Sequence, residues 1–86
     1  MKEDNLYNYV KETNERTHVI INSCETQEQL TSASRYTRLL WDRWKERITH
    51  KGKIDVVDGD LLITLMGQHH KRILRKEIEI ETLNNH

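Results

Sequence analysis

The 86-residue sequence has no proline, no phenylalanine and only three glycines, at positions 52, 59 and 67. Proline and glycine mark the turns of strand-rich proteins, because they supply the backbone dihedral angles that tight turns need. Their scarcity disfavours a strand-rich fold. Helix is therefore the predicted structure for most of the chain.

Cysteine is also scarce. The single residue, Cys24, cannot form an internal disulfide, and alone it cannot provide a zinc site. An isolated thiol is typical of proteins in a reducing cytosol rather than of secreted scaffolds. Its predicted place on the apolar side of a helix indicates a buried, inert thiol rather than a catalytic nucleophile.

Long apolar runs and net charge are missing as well. The N-terminal segment lacks the apolar run of a signal peptide, and no later stretch approaches the roughly 18 apolar residues of a membrane span. The 14 basic and 14 acidic residues cancel, so the chain exerts no long-range attraction on nucleic acid or anionic membranes. We therefore expect a cytoplasmic protein without a membrane partner.

Apolar residues make up 35% of the sequence, which is below the usual globular proportion, and charged residues make up 33%. We expect a single helical domain over residues 1–86 that buries about 60 to 65% of the surface exposed by its unfolded chain. The composition predicts a folded domain with a small core, and a small core favours self-association.

Apolar spacing predicts an all-α fold, a small three-helix domain. A first, N-terminal helix has one apolar side from Leu6 to Cys24, and two longer helices then form a helical hairpin. The second helix begins at a capping box at 26–29, runs to about His50, and has an apolar stripe of Leu30, Ala33, Thr37, Leu40, Trp41, Trp44 and Ile48.

The third segment has two interpretations. Helical spacing favours a long third helix with Asp58 or Asp60 as its N-cap. The Asp58–Gly59 dipeptide between apolar runs also permits a short β-hairpin around that position. The helical interpretation rests on the spacing of Leu62, Leu65, Met66, His69, Ile73 and Ile80.

No constellation of residues indicates catalysis or metal binding. The adjacent His69 and His70 point about 100° apart on a helix, so they cannot share a metal as an i, i+4 pair does. The glycines form no phosphate-binding loop, and no nucleophile motif occurs. We predict a protein without enzyme activity, cofactor or metal.

The second helix carries a candidate partner-binding surface. Tyr36 and Leu39 fall on the side opposite the apolar stripe, in the company of Arg35 and Arg43. Tyrosine framed by arginine is a composition typical of hot spots in protein interfaces. Single exposed apolar residues are also ordinary on protein surfaces, so both interpretations stand at this point.

A second apolar stripe on the third helix is a candidate oligomer interface. In a monomer another helix would cover this stripe, whereas in a homo-oligomer another copy covers it, and Gly67 allows the helices to approach closely. We expect the oligomer. The stripe consists of Ile63, Gly67, His70, Leu74 and Ile78.

A basic run follows on the same helix. We expect Arg75 to pair with Glu79 at i, i+4, as on a solvated helix face. The run is also a candidate nucleotide-binding surface, in which a tryptophan or tyrosine would offer a stacking platform. Its cations are Lys71, Arg72, Arg75 and Lys76.

The stretch INSCETQEQL at positions 21–30, followed by Ala33, Tyr36 and Leu40, resembles a pattern in short uncharacterised helical proteins of tailed bacteriophages, including T-even-type phages. The resemblance covers about a third of the chain and supplies no active-site residues. It implies a small accessory protein that binds a host enzyme or defence component in the host cytoplasm. The leading hypothesis is thus a phage-encoded inhibitor that acts by stoichiometric binding to a host protein; the alternative is a binder of nucleotide signals or nucleic acid.

Overall fold

The computed structural model describes the backbone of residues 2–84 and the side chains of residues 6–83. It contains helices α1 (Lys2–Asn22), α2 (Gln27–Ile48) and α3 (Val56–Asn84). Strands β1 (Thr49–His50) and β2 (Lys53–Ile54) lie between α2 and α3. The predicted all-α, three-helix fold with a short hairpin is confirmed.

The start of α2 matches its sequence signature. The Thr26 hydroxyl oxygen accepts a hydrogen bond from the backbone N–H of Gln29 at 3.2 Å. In return, the Gln29 side-chain oxygen accepts from the backbone N–H of Thr26 at 3.3 Å. The reciprocal bonds satisfy donors that a helix start leaves without partners, so the chain turns sharply between α1 and α2.

The β-hairpin lies earlier in the chain than the sequence suggested. Its strands pair antiparallel, with Thr49 opposite Ile54, around the two-residue turn Lys51–Gly52. Both turn residues have positive φ, 53° and 77°, as a type I′ turn requires. Because this turn already reverses the chain, α3 begins at Val56. The favoured long third helix is therefore confirmed. Asp58, Gly59 and Asp60 lie within it, so the alternative hairpin at Asp58–Gly59 does not form and the predicted N-cap at Asp58 or Asp60 is wrong.

The three helices run up, down and up. One core cluster joins the start of α1 and the end of α2 to the start of α3, through Val10, Leu40, Trp44, Ile48 and Leu62. The other joins the end of α1 and the start of α2 to the end of α3, through Ile21, Cys24, Leu30, Ala33 and Ile80. Every helix therefore contributes to both ends of the core.

Between these two clusters each helix buries one polar residue. Thr17, Thr37 and His69 are all 0% exposed. The two threonine hydroxyls donate to carbonyl groups one turn earlier, those of Thr13 and Ala33, both at 2.7 Å. Such back-bonding satisfies a buried hydroxyl within its own helix. His69 must find its partners on other helices.

No helix within residues 2–84 combines the length and apolar character that crossing a membrane requires.

Candidate protein-binding groove

A groove between α1 and α2 brings together three of the four predicted partner-binding residues. Tyr36, Leu39 and Arg43 line a cavity of about 230 Å³. Leu39 is 62% exposed, whereas Tyr36 is half-buried. Arg35 is exposed and does not line this cavity. The predicted surface is therefore a groove wall rather than a face of α2 alone.

The opposite wall belongs to α1 and was not identified from the sequence. Tyr9, Thr13 and Arg16 line it. Their spacing of four and three residues places them on one side of the helix. That spacing was visible in the sequence, but nothing in it indicated that this side of α1 faces Tyr36 and Arg43.

Two contacts hold the α1 wall in place. The guanidinium carbon of Arg47 lies 4.0 Å from the centre of the Tyr9 ring, in a cation–π contact between α2 and α1. The indole N–H of Trp44 donates to the Thr13 hydroxyl at 2.9 Å, and that hydroxyl in turn donates to the Tyr9 carbonyl at 2.7 Å. The α1 wall of the groove is thus linked by a hydrogen bond to the buried Trp44 side chain.

The side chains that line the groove carry a net positive formal charge. Arg16 and Arg43 line it, and no carboxylate does. Across the part of the chain with described side chains, the sole salt bridge joins Lys76 to Glu79, at 3.5 Å. Uncompensated guanidinium groups beside exposed apolar surface can form bidentate hydrogen bonds with carboxylates of a partner.

The predicted oligomer interface lies on the outer side of α3. Ile63 is 69% exposed, Ile78 63% and Leu74 45%, and His70 is exposed as well. A Cβ atom added at Gly67 would meet nothing within 4 Å. Neither α1 nor α2 therefore covers this stripe, and Gly67 leaves a shallow recess in it.

The predicted nucleotide-binding cations are divided. Lys71, Arg72 and Arg75 line one cavity between α1 and α3, whereas Lys76 does not. Lys76 pairs with Glu79, so the expected Arg75–Glu79 pair is wrong. Lys76, three residues before Glu79, lies within salt-bridge distance of it, whereas Arg75, four residues before it, does not.

His69 joins α1 and α2 from its buried position on α3. The indole N–H of Trp41 donates to His69 Nδ1 at 2.9 Å, and the two ring planes are nearly parallel, 5° apart, with their centroids 6.1 Å apart. Since Nδ1 is the acceptor, Nε2 carries the proton and donates to Asn14 Oδ1 at 2.6 Å. Burial, with a smaller effect of nearby His18, lowers the pKa of His69 from 6.5 to about 4. The neutral ring is therefore a structural element of the core.

The Cys24 thiol is placed unfavourably for nucleophilic chemistry. Cys24 is buried, and burial raises the pKa of its thiol against the weaker opposing effect of Lys76. A raised pKa leaves the thiol protonated and weakly nucleophilic at neutral pH. Among the described residues, no group of three histidine, cysteine or acidic side chains is arranged to hold a metal ion.

A third cavity, of about 380 Å³, opens at the hairpin end of the bundle. Apolar side chains that continue the core around Val10 and Ile48 line it, together with Asp55 and Asp58. Tyr7 also lines this cavity, but no arginine does, in contrast to the α1–α2 groove.

No protein-family model matches the chain, and neither the curated proteins nor the solved structures compared with it give a significant match.

Proposed function

We propose that this chain is a non-enzymatic binding protein that associates stoichiometrically with another protein through the α1–α2 groove. The convergence of Tyr9, Tyr36 and Leu39 with Arg16 and Arg43 around one cavity carries the proposal. Tyrosine and arginine are enriched at interface hot spots, because they combine large contact area with hydrogen-bond donors. The resemblance to phage accessory proteins supports a host defence or takeover protein in the host cytoplasm as the inhibited partner.

The charge of the groove specifies the chemistry of that partner. Arg16 and Arg43 lie in a cavity lined by no carboxylate. A partner segment with acidic residues on either side of an aromatic or aliphatic side chain would match both the guanidinium groups and the apolar lining supplied by Leu39 and Leu40.

Reversing the charge of Arg43 is expected to weaken partner binding about thirtyfold or more, corresponding to a hot-spot loss of about 2 kcal/mol. The Arg43→Glu variant places a carboxylate where the partner's carboxylate would bind. The natural chain serves as bait in a host lysate. The captured protein is then purified and titrated by calorimetry against the natural chain and against the Arg43→Glu variant.

Arg35→Glu provides the matched control, because it makes the same charge change on the same helix outside the cavity. It should change the affinity by less than about threefold, as rim charges do. Equal loss in both variants would indicate a general charge effect and contradict the groove. A stoichiometry far from one to one would contradict the proposed inhibitory mode.

We also propose that the outer face of α3 binds a second copy of the chain. In an antiparallel pair related by a two-fold axis between His70 and Lys71, Ile63 lies opposite Ile78 of the other copy. The same axis places Leu74 opposite the recess at Gly67. The stripe is thus self-complementary along about 22 Å of helix.

Placing a charge in this stripe is expected to weaken dimer formation about tenfold or more, since burying an unpaired carboxylate is costly. Light scattering behind a sizing column, run over a range of concentrations, compares the natural chain with Ile78→Glu.

The control is Val19→Glu, which replaces an equally exposed apolar residue, 67% exposed, on α1. It should leave the dimer intact. A natural chain that stays monomeric at the highest concentration, or a dimer that Ile78→Glu does not weaken, would overturn the α3 interface while leaving the groove proposal standing.

A further inference from the structure

The cavity between α1 and α3 has the composition of an anion-binding site. Gln68, Lys71, Arg72 and Arg75 line it from α3, and His18 lines it from α1. The α3 residues follow the i, i+3, i+4, i+7 spacing of a single helix face, so their side chains converge on the same space. The cavity volume is about 290 Å³.

The positive charge in this cavity is not compensated. None of the lining residues is a carboxylate, and none forms a salt bridge among the described side chains. Arg72 Nη1 donates to Asn22 Oδ1 at 3.2 Å, which ties the guanidinium to α1 without neutralising it. Its other donors remain available to a ligand, because a guanidinium carries five N–H groups.

His18 is a further polar group that the fold leaves incompletely satisfied. Its Nδ1 atom is buried and has no hydrogen-bond partner within the described part of the chain. The pKa of this residue is lowered by burial and by the positive charge of Arg72. Arg72 thus imposes a positive potential on its neighbours, and an anion bound beside it would relieve that potential.

The size of the cationic row indicates the class of anion. Lys71 and Arg75 are about 6 Å apart along the helix axis, a span that covers more than one linked phosphoryl group. No tyrosine or tryptophan lines the cavity, so it lacks the large aromatic rings that typically stack on the bases of single-stranded nucleic acids. The chain is also neutral overall, which removes the long-range attraction for a polyanion.

We propose that the cavity formed by His18, Gln68, Lys71, Arg72 and Arg75 binds a small ligand that carries linked phosphates, and that it recognises the phosphate chain rather than a base. The three cations form charge-assisted hydrogen bonds with phosphoryl oxygens, and the Gln68 amide donates a further one. This site lies on α1 and α3, so it is separate from the α1–α2 groove.

The test is calorimetric titration of the full chain with inorganic tripolyphosphate, accompanied by backbone NMR spectra. We expect saturable binding in the calorimetric titration. In the NMR spectra, the chemical-shift changes should centre on His18 and on residues 68–75. The Arg72→Gln/Arg75→Gln variant should bind at least about tenfold more weakly, since each substitution removes a charged donor. Both arginines are exposed, so the variant should retain the helical circular dichroism spectrum.

The matched control is Lys51→Gln/Lys53→Gln, which removes two charges from the exposed hairpin and should change the affinity by less than about twofold. Absence of saturable binding would overturn the proposal, as would equal weakening by the two double variants. Tighter binding of a short single-stranded oligonucleotide than of tripolyphosphate would also overturn it, in favour of a nucleic-acid surface. Loss of tripolyphosphate binding with intact partner binding in Arg72→Gln/Arg75→Gln would separate this site from the groove.

Discussion

Acidification from about pH 7 to about pH 4 is expected to reduce the free energy of unfolding by about 3 kcal/mol through His69 alone. The pKa of this residue is about 4 in the folded protein, against 6.5 without the fold. Each unit of difference corresponds to about 1.4 kcal/mol. The cause is geometric as well as electrostatic, because a proton added at Nδ1 would face the indole N–H of Trp41.

The sign of this dependence follows from which state binds the proton first. As the pH falls below 6.5, His69 of the unfolded chain becomes protonated while the folded chain still excludes the proton. The stabilising contribution is therefore fully present above about pH 6.5 and is lost progressively down to about pH 4. Burial and Arg72 also lower the pKa of His18, so His18 acts in the same direction.

Urea unfolding at several pH values between about 7 and 4 measures this loss, and NMR titration of the ring protons assigns it. His70→Gln, which changes the exposed neighbour, should retain the full dependence. His69→Gln should be less stable at neutral pH but have a flatter pH profile. A His69 ring that titrates near 6.5 in the folded protein would contradict the expected result, whatever the stability of the variants.

The sequence was sufficient to predict α2 because local signals and burial agreed there. The capping box at Thr26 and the apolar spacing of α2 specify the same helix, and each has a direct counterpart in the structure. The hairpin at Lys51–Gly52 was not identified, because Asp-Gly is the stronger turn signal in isolation and was the site of the alternative hairpin, whereas Lys51–Gly52 uses a lysine at positive φ. The turn that forms is the one directly after the end of α2. The short sequence around each turn does not indicate where α2 ends.

Only the α2 side of the groove could be predicted from the sequence. Tyr36, Leu39 and Arg43 stood out because they depart from the apolar stripe of their own helix. Tyr9 and Arg16 did not, because an aromatic and a basic residue on a mostly polar helix resemble ordinary surface. Tertiary packing determines which sides of α1 and α2 face each other. Helical periodicity alone does not indicate these sides.

His69 illustrates the same limit in the core. Its spacing placed it on the apolar stripe of α3, but its partners Trp41 and Asn14 lie 28 and 55 residues away in the chain. Only the folded arrangement shows that the ring is fully buried and fully hydrogen-bonded. The two adjacent histidines therefore differ completely, since His69 is 0% exposed and His70 is exposed.

Truncation of Trp44 is expected to have the largest effect of any single substitution, about 3 to 5 kcal/mol of lost stability for Trp44→Ala. Trp44 is 0% exposed and lies in the core cluster that joins all three helices. A domain of this length has about 4 to 13 kcal/mol of total stability. The substitution therefore removes a large share of it, and thermal unfolding followed by circular dichroism should register a much lower midpoint.

Two further variants separate the roles of the Trp44 ring and of its N–H group. Trp44→Phe keeps an aromatic ring but removes the donor to Thr13, so it should cost less than Trp44→Ala, with about 1 kcal/mol of its cost from the hydrogen bond. Leu39→Ala removes an exposed side chain from the same helix and should stay within about 0.5 kcal/mol. A loss below about 1.5 kcal/mol for Trp44→Ala would mean that Trp44 does not anchor the core. Because Thr13 lines the groove, weaker partner binding by a folded Trp44→Phe variant would connect the core to the proposed binding surface.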